Sequence, residues 1–326
     1  MKAGTPQLAV DNWVDEIERH YLDDYIREGG ASVKFAVCLP GLDAPTVADA
    51  LFASATARGF FTARVDAASV KVHMIERVFH AIAEQLRWRN LTDAVLRRLA
   101  AAEHWQVPAA FDERPVAEQL AALNGLEPAS VSLPLQRAIE RAVFRDHSLA
   151  RDFRLAMTWL ARGRLNGGQD GARVEADLID WLCGRITALS TLRGYQIFTK
   201  ISRTNARHML GSLLRWVRSA GGPGLVVAVD ATRLFARERA TDGLNYTIPA
   251  LLDAYEVFRE FIDATDELEG LLLVVLVPPA FTDIDPRGRG LARYPALMYR
   301  VIDEVHDERL ANPLTALVRL TTEVVR

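Results

Sequence analysis

Two short runs of almost unbroken apolar residues constrain the fold of this chain most strongly. They are GLVVAVD at residues 224–230 and GLLLVVLV at residues 270–277. Such runs are buried on both faces, which is typical of central strands in a parallel sheet covered by helices. Earlier in the chain, SVKFAVCL (32–39), a helix predicted over 46–58 and FFTARVDA (60–67) form a strand–loop–helix–strand unit. The sequence therefore predicts an α/β fold with a parallel sheet flanked by helices.

A long helical stretch interrupts this pattern. Residues 70–219 show helical periodicity, apart from a glycine-rich segment at 163–173 that predicts an exposed loop. We therefore predict a large helical insert in the α/β core. The predicted regions are an N-terminal helix at 1–30, the first part of the core at 31–69, the helical insert at 70–200, and the second part of the core at 201–326. This last region ends in C-terminal helices, the last of which is predicted over 313–325.

Composition narrows the class of protein. Half of the 326 residues are hydrophobic, which supports a sizeable core and excludes a disordered chain. The net charge of −3 gives no overall basic footprint of a nucleic-acid binder, although it leaves a local basic patch open. Two distant cysteines form neither a disulfide framework nor a zinc pattern. No apolar run reaches membrane-spanning length, so we expect a soluble, cytoplasmic protein that makes no membrane contact.

A strand, a tight loop, a helix and a later apolar strand ending in aspartate together describe a P-loop NTPase core. The loop motif GxxxxGK[ST] uses glycines to wrap backbone N–H groups around phosphates, Lys to reach the β- and γ-phosphates, and Ser or Thr to hold Mg²⁺. Taken alone, PGLDAP at residues 40–45 is also an ordinary turn before a helix. On the P-loop template, the eight positions of the motif are occupied by Cys38, Leu39, Pro40, Gly41, Leu42, Asp43, Ala44 and Pro45.

All four defined positions of the motif, here Cys38, Asp43, Ala44 and Pro45, depart from it in ways that weaken phosphate binding. Asp43 brings a negative charge to the phosphates, Ala44 lacks the lysine cation, and Pro45 has neither an N–H nor a hydroxyl group. Asp230 keeps the strand-end position of a magnesium-organising aspartate. Ala231 stands where related ATPases often carry the glutamate that polarises water. We therefore expect no hydrolysis, no catalytic residue and no metal site.

Several segments resemble the ATP-binding proteins of BREX phage-defence systems, the BrxD-like P-loop family. They are YLDDYIREGGASVKFAVCLPG, RTNARHML with the following GSLLRWVRSAGGPGLVVAVD, AYEVFREFIDATDELEGLLLVVLV, RGRGLARYPALMYRV and ANPLTALVRL, which together cover most of the chain. The resemblance implies an AAA+-like P-loop core, ATP as the family ligand and a role in defence against phage. In the phosphate loop only Pro40 and Gly41 match the family pattern, so the chain resembles a degenerate paralogue.

This resemblance suggests a pseudo-ATPase that hydrolyses no ATP, holds no cofactor and acts through a protein partner. That partner would be an active P-loop ATPase paralogue or another defence-system subunit, with DNA contacted through the complex. Arginines that could act in trans on the ATP of such a partner are Arg287, Arg289, Arg293 and Arg300.

Two alternatives stay open at this point. One is an ATPase or nucleotide sensor that binds ATP and Mg²⁺ through an unorthodox phosphate loop, and the other is a DNA-binding adaptor of the defence complex. Arg203, Asn205 and Arg207 lie on a predicted helix before the Asp230 strand. They could approach the nucleotide pocket or, as we favour, cap and bridge helices.

Overall fold

A computed structural model describes residues 7–186, 188–302 and 312–322. The chain divides into two compact units. An α/β unit combines Met1–Ile82 with Pro223–Arg326, and a helical unit comprises Ala83–Gly222. The sequence-based bounds of the insert, 70 and 200, differ from these limits, because the stretch before the Asp230 strand belongs to the helical unit. Among the described residues, no helix has both the length and the apolar character needed to cross a membrane.

The α/β unit is built on one sheet whose strands all run parallel, as the sequence predicted. In the sheet the strands follow the order β1-β6-β2-β5-β4-β3. Their bounds are β1 Leu8–Ala9, β2 Ala31–Cys38, β3 Phe61–Asp66, β4 Leu225–Asp230, β5 Leu271–Val277 and β6 Leu317–Thr321.

The helices of the described residues connect these strands and build the second unit. Their bounds are α1 Val10–Ile17, α2 Ala44–Ala57, α3 Ile75–Gln85, α4 Trp88–Ala102, α5 Val116–Asn124, α6 Pro128–Ile139, α7 Arg151–Asn166, α8 Gly168–Leu182, α9 Ala206–Ser219, α10 Ile248–Asp263 and α11 Pro295–Ile302. The predicted N-terminal helix is present as α1 and a π-helical continuation over Glu18–Tyr25.

The two faces of the sheet are covered by different helices. Alternate residues of a strand point to opposite faces, so Ala36 and Cys38 of β2 share one face and Phe35 lies on the other. On the Ala36 face, α1 and α2 complete a continuous apolar cluster with β4, β5 and β6. On the Phe35 face, the Phe35 ring packs edge-on against Phe258 of α10 and stacks on Phe281, with ring centroids 6.1 and 5.4 Å apart. This two-sided cover explains why all seven residues of β5 are buried.

The helix predicted over 313–325 is wrong. Residues 317–321 form β6, which pairs in parallel with β2 on one side and β1 on the other. Leu317, Val318 and Leu320 are buried there. Apolar residues at this spacing fit a short strand as well as a helical face, so periodicity alone could not separate the two. The two-residue strand β1 is too short to leave a periodic signal.

The exposed loop predicted over 163–173 is also wrong. Helix α7 continues to Asn166, and α8 begins at Gly168 after a single residue. The glycines of this segment bring the two helices together, because a Cβ added to Gly171 would lie only 2.5 Å from the Gly163 carbonyl oxygen. Gly167, with φ of +64°, turns the chain between the helices. Glycine here therefore serves close helix packing, not an exposed loop.

A buried ion pair fixes the centre of the helical unit. The Arg164 guanidinium of α7 binds Asp93 of α4 through two contacts, Nε to Oδ1 at 2.7 Å and Nη2 to Oδ2 at 3.3 Å. It also donates to the carbonyl oxygens of Arg114 and Asp112, both at 2.6 Å. The side chains of Arg164 and Asp93 are only 7% and 14% exposed. One side chain thus joins two helices and the loop between α4 and α5.

Candidate functional site

The strand connections identify where a ligand site should lie in the α/β unit. From β2 the chain passes through α2, on the Ala36 face, to β3 at one edge of the sheet. From β5 it passes through α11, which packs against α10 of the opposite face, to β6 on the other side of β2. Ligands of open α/β sheets bind outside the carboxyl ends of neighbouring strands whose connections leave in opposite directions. The candidate site is therefore at the carboxyl ends of β2 and β5.

The loop after β2 begins with a tight turn. The N–H of Leu42 donates to the carbonyl oxygen of Leu39 at 3.0 Å, and Gly41 has φ of +94°. Proline at the second position and glycine with positive φ at the third are typical of a type II turn. The turn is fixed at both ends, because the Leu39 N–H donates to Leu320 of β6 at 3.0 Å and Leu42 is buried. Four loop residues thus form a compact turn with its own internal hydrogen bond.

Asp43 ends this loop as the N-cap of α2. Its carboxylate accepts a hydrogen bond from the Thr46 N–H, with Oδ1 and N 2.8 Å apart. Hydrogen bonding from Thr46, through its side chain and then its backbone N–H, lowers the pKa of Asp43 below its ordinary value. The carboxylate is therefore charged at neutral pH and lies where the first helical turn would otherwise receive an anion.

Ala44 and Pro45 complete the first turn of α2 without contributing a cation. Ala44 is buried and belongs to the apolar cluster beneath the helix, together with Val47 and Ala48. Pro45 lies in the first turn, where its fixed φ suits the helix, and it supplies no N–H. Position 44 thus faces the core of the unit, and position 45 cannot donate a hydrogen bond from its backbone.

Cys38 closes β2 as a buried, unreactive thiol. Burial, followed by the negative charges of Asp230 and Asp43, raises the pKa of the Cys38 thiol to about 12. A thiol with so high a pKa stays protonated at neutral pH and is a poor nucleophile. The charges of Asp43 and Asp230, which are 187 positions apart in the sequence, thus both act on Cys38.

Asp230 ends β4, and its carboxylate caps the turn that follows. Its Oδ1 accepts from the Thr232 N–H at 2.9 Å. Ala231 is fully buried, and its N–H donates to the Leu276 carbonyl oxygen of β5 at 2.9 Å. Position 231 is thus part of the packed sheet end and carries only a methyl group.

A comparison with protein-family models adds the decisive observation. The model of the BREX system ATP-binding proteins BrxC/D matches residues 10–323. The chain belongs to the BrxC/D family. This assignment confirms the predicted resemblance to BREX ATP-binding proteins, and the parallel sheet agrees with a P-loop NTPase-like core. Comparisons with curated proteins and with solved structures give no match.

In this BrxC/D chain, the four arginines predicted to act in trans have different surroundings. Arg289 donates to the carbonyl oxygens of Leu234 and Tyr246 at 2.7 and 2.9 Å. Arg293 donates to the carbonyl of Arg287 at 2.7 Å. Arg289 therefore joins the loop after β5 to the loop after β4, and Arg293 holds the loop after β5.

The remaining two arginines differ in their freedom to contact another molecule. Both carboxylate oxygens of Asp263 accept from Arg300, whose Nη1 also donates to Ala296 at 2.8 Å. Arg287 is exposed, and its side chain has no hydrogen-bond or ion-pair partner among the described residues. Arg287 is thus the one of the four whose guanidinium the chain does not visibly engage.

Two residues near the sheet end were missed from the sequence. Asp66 ends β3 in register with Asp230 and repeats its geometry, because its carboxylate accepts from the Ala68 N–H at 2.7 Å. The sequence did contain a signal for Asp66, since β3 and β4 both end in Val-Asp. Arg319 lies on β6 opposite Val37 and donates to the Thr282 hydroxyl at 3.1 Å, and burial lowers its pKa. Arg319 was missed because β6 was predicted to be helical.

Proposed function

We propose that this BrxC/D chain is a non-hydrolysing, P-loop-like subunit of a BREX phage-defence system that acts through contacts with other proteins. The observation that carries this proposal is the position of the Asp43 carboxylate. It caps α2 at the point where a phosphate group would need the helix N-terminus. The chain's own negative charge thus replaces the anion that the family fold would bind.

The hydrogen-bond donors of the first turn support the same conclusion. A helix binds phosphate through the free N–H groups of its first positions. Of the three residues after the cap, Pro45 has no N–H and the Thr46 N–H is already bound by Asp43. Of these three residues, only Ala44 has an N–H that Asp43 does not already bind. One donor is a weak basis for holding a triphosphate.

The charges around the turn also oppose phosphate binding. Asp43 follows β2 and Asp230 ends β4, and both negative charges influence Cys38 at the end of β2, where phosphates would add further negative charge. The position of the phosphate-binding lysine is Ala44, whose side chain is buried against the core. ATP binding would therefore need a compensating cation that neither position 44 nor position 45 supplies.

A role through contacts follows from the family and from Arg287. Membership in a BREX family indicates other subunits of that system as partners. Arg287 lies exposed on the loop after β5, and an arginine presented across an interface can stabilise charge on a neighbour's ATP. We therefore propose that the chain presents a structural surface, and Arg287 in particular, to an ATP-hydrolysing partner.

The first experiment measures ATP binding by the purified chain. Isothermal titration calorimetry with Mg²⁺ and ATP should give no binding heat up to millimolar nucleotide. The Asp230→Asn variant serves as the control that assigns any signal to this site. Micromolar binding by the native chain that is lost in Asp230→Asn would overturn the proposal and identify a nucleotide sensor. An Asp43→Gly/Pro45→Thr variant should bind ATP more tightly than the native chain, because it removes the capping carboxylate and restores a backbone N–H and a hydroxyl group in the first turn of α2.

A second experiment tests the role through contacts. The tagged chain is co-expressed with the other subunits of its BREX system, and the proteins that co-purify are tested for ATP hydrolysis. We expect an ATP-hydrolysing partner, with hydrolysis that falls when Arg287→Ala replaces the native chain and changes little with Arg300→Ala, whose guanidinium is bound to Asp263. Equal effects of the two variants would contradict the role of Arg287.

A further inference from the structure

The two units of the chain carry opposite net charges. Within Ala83–Gly222 there are 20 Lys and Arg against 14 Asp and Glu, a formal charge of +6. The rest of the chain has 19 against 28, a formal charge of −9. The net charge of −3 for the whole chain therefore does not reveal that the helical unit is basic. Charge asymmetry of this kind between parts of a chain suggests a polyanionic partner for the basic part.

The positive charge is concentrated in one part of the helical unit. Residues 181–229 contain no Asp or Glu, yet they contain seven Lys and Arg. Most of the exposed Lys and Arg residues among these seven lie within residues 193–208, which we call the basic segment. The exposed cationic and aromatic residues of the basic segment are Arg193, Phe198, Lys200, Arg203, Arg207 and His208.

The basic segment is held in a defined conformation. Ile197 and Ile201 are buried and anchor it at two points. Between them, the Thr199 carbonyl oxygen accepts from Trp181 at 3.0 Å. The Asn205 side chain then accepts from the Ser202 N–H at 2.8 Å and donates to the Lys200 carbonyl oxygen at 3.1 Å.

Three exposed arginines of this segment are not neutralised by the described residues of the chain. Arg193, Arg203 and Arg207 have no ion-pair partner among the described residues of the structure. The carboxylates of Asp152 and Asp177 accept hydrogen bonds from hydroxyl groups of this segment. Asp152 accepts from Thr199, and Asp177 accepts from Tyr195 at 2.7 Å. The segment therefore presents a positive surface to solvent.

We propose that the basic segment binds the phosphate backbone of a nucleic acid. Arginines and lysines on one ordered segment are suited to successive phosphate groups, and neutralising phosphates releases counterions. The Phe198 ring, which is 55% exposed among these cations, gives an unpaired base a surface to stack on. An acidic protein surface would match the charge but would give no role to this ring. The binding is independent of the phosphate loop and of ATP.

The test is fluorescence anisotropy of the full chain with a labelled single-stranded oligonucleotide and with the corresponding duplex, over a series of salt concentrations. Arg193→Gln/Arg203→Gln/Arg207→Gln should weaken binding at least about tenfold at low salt and reduce the log–log salt slope by roughly two to three. Phe198→Ala should weaken single-strand binding by about fivefold or more, with a smaller effect on the duplex.

A matched control removes three exposed arginines of the same unit that are already ion-paired. Arg114, Arg141 and Arg145 pair with Asp112, Glu103 and Glu140. Their replacement by Gln should change affinity by less than about threefold, because paired arginines contribute little free charge. Thermal unfolding of both variants verifies that they fold.

Three results would overturn the proposal. One is the absence of binding by the native chain at low salt, and another is an equal loss in the control variant. The third is concentration-dependent self-association in sedimentation that the Arg193→Gln/Arg203→Gln/Arg207→Gln change abolishes, without nucleic-acid binding. That result would assign the basic segment to the acidic unit of a second copy.

Discussion

Replacing Arg164 by methionine provides a quantitative test of how the helical unit is held together. The guanidinium makes two contacts with Asp93 and donates to two backbone carbonyl oxygens, at distances of 2.6–3.3 Å. Methionine fills a similar volume but donates no hydrogen bond. Arg164→Met therefore leaves the Asp93 carboxylate, which is only 14% exposed, without its cation.

The expected loss is large because one partner of a buried ion pair is removed. Breaking such a pair typically costs about 3–5 kcal/mol of unfolding free energy. Burial raises the pKa of Asp93, and the hydrogen bonds and charge of Arg164 oppose that shift without cancelling it. Without Arg164, the charged form of the Asp93 carboxylate should be still less favourable in the folded state. The double variant Asp93→Leu/Arg164→Met should recover at least about 1 kcal/mol of the loss, because it leaves no stranded charge.

Urea unfolding followed by tryptophan fluorescence measures this change. Five of the six tryptophans lie in the helical unit, so the signal reports mainly on that unit. The pH dependence supplies a second readout. A carboxyl group whose folded pKa is raised favours the folded state when protonated, so its contribution is greatest at low pH and is lost as pH rises through the folded pKa. Arg164→Met, which removes the cation that opposes the shift, should therefore lose less stability relative to the native chain as the pH is lowered toward the folded pKa of Asp93. A loss below about 1 kcal/mol, or a double variant as unstable as the sum of the single changes, would refute this reasoning.

Two further predictions concern packing and reactivity. Gly171→Ala should lower the unfolding free energy of the helical unit by about 1–3 kcal/mol, because its Cβ would lie 2.5 Å from the Gly163 carbonyl oxygen. Gly194→Ala, whose Cβ meets no atom within 4 Å, is the control for the thermal unfolding measurement, and equal losses would contradict this explanation. At pH 8, N-ethylmaleimide should modify Cys183 before Cys38, because Cys38 is buried and its pKa is raised to about 12. Peptide mass spectrometry measures both rates, and faster labelling of Cys38 would be the contrary result.

The central strands were predictable because their signal is local. A strand buried on both faces needs an apolar residue at nearly every position, and β4 and β5 show this directly in their composition. The phosphate-loop positions were predictable in the same sense. The charge of Asp43 and the missing N–H of Pro45 are properties of single residues, and no contact is needed to know them.

The structural roles of those same residues could not be predicted from the sequence alone. The sequence placed a negative charge at Asp43, but only the structure gives that charge a hydrogen-bond partner in Thr46 and makes it the cap of α2. Likewise, the sequence singled out Arg287, Arg289, Arg293 and Arg300 as equivalent candidates. Their surroundings differ because loops after different strands meet at the carboxyl edge of the sheet, as the bonds from Arg289 to Leu234 and Tyr246 illustrate.

The sequence by itself determined the parallel α/β core, the family pattern and the residue types of the candidate phosphate loop. Only the tertiary structure decided that residues 317–321 form a strand, since their partners are β1 and β2, some 280 or more positions earlier in the chain. It also decided that Gly163 and Gly171 allow two helices to touch, where the local sequence suggested a loop. The physical reason is the same in each case. Composition and side-chain chemistry are local properties, whereas strand pairing, close packing and hydrogen-bond partners depend on residues that the fold brings together.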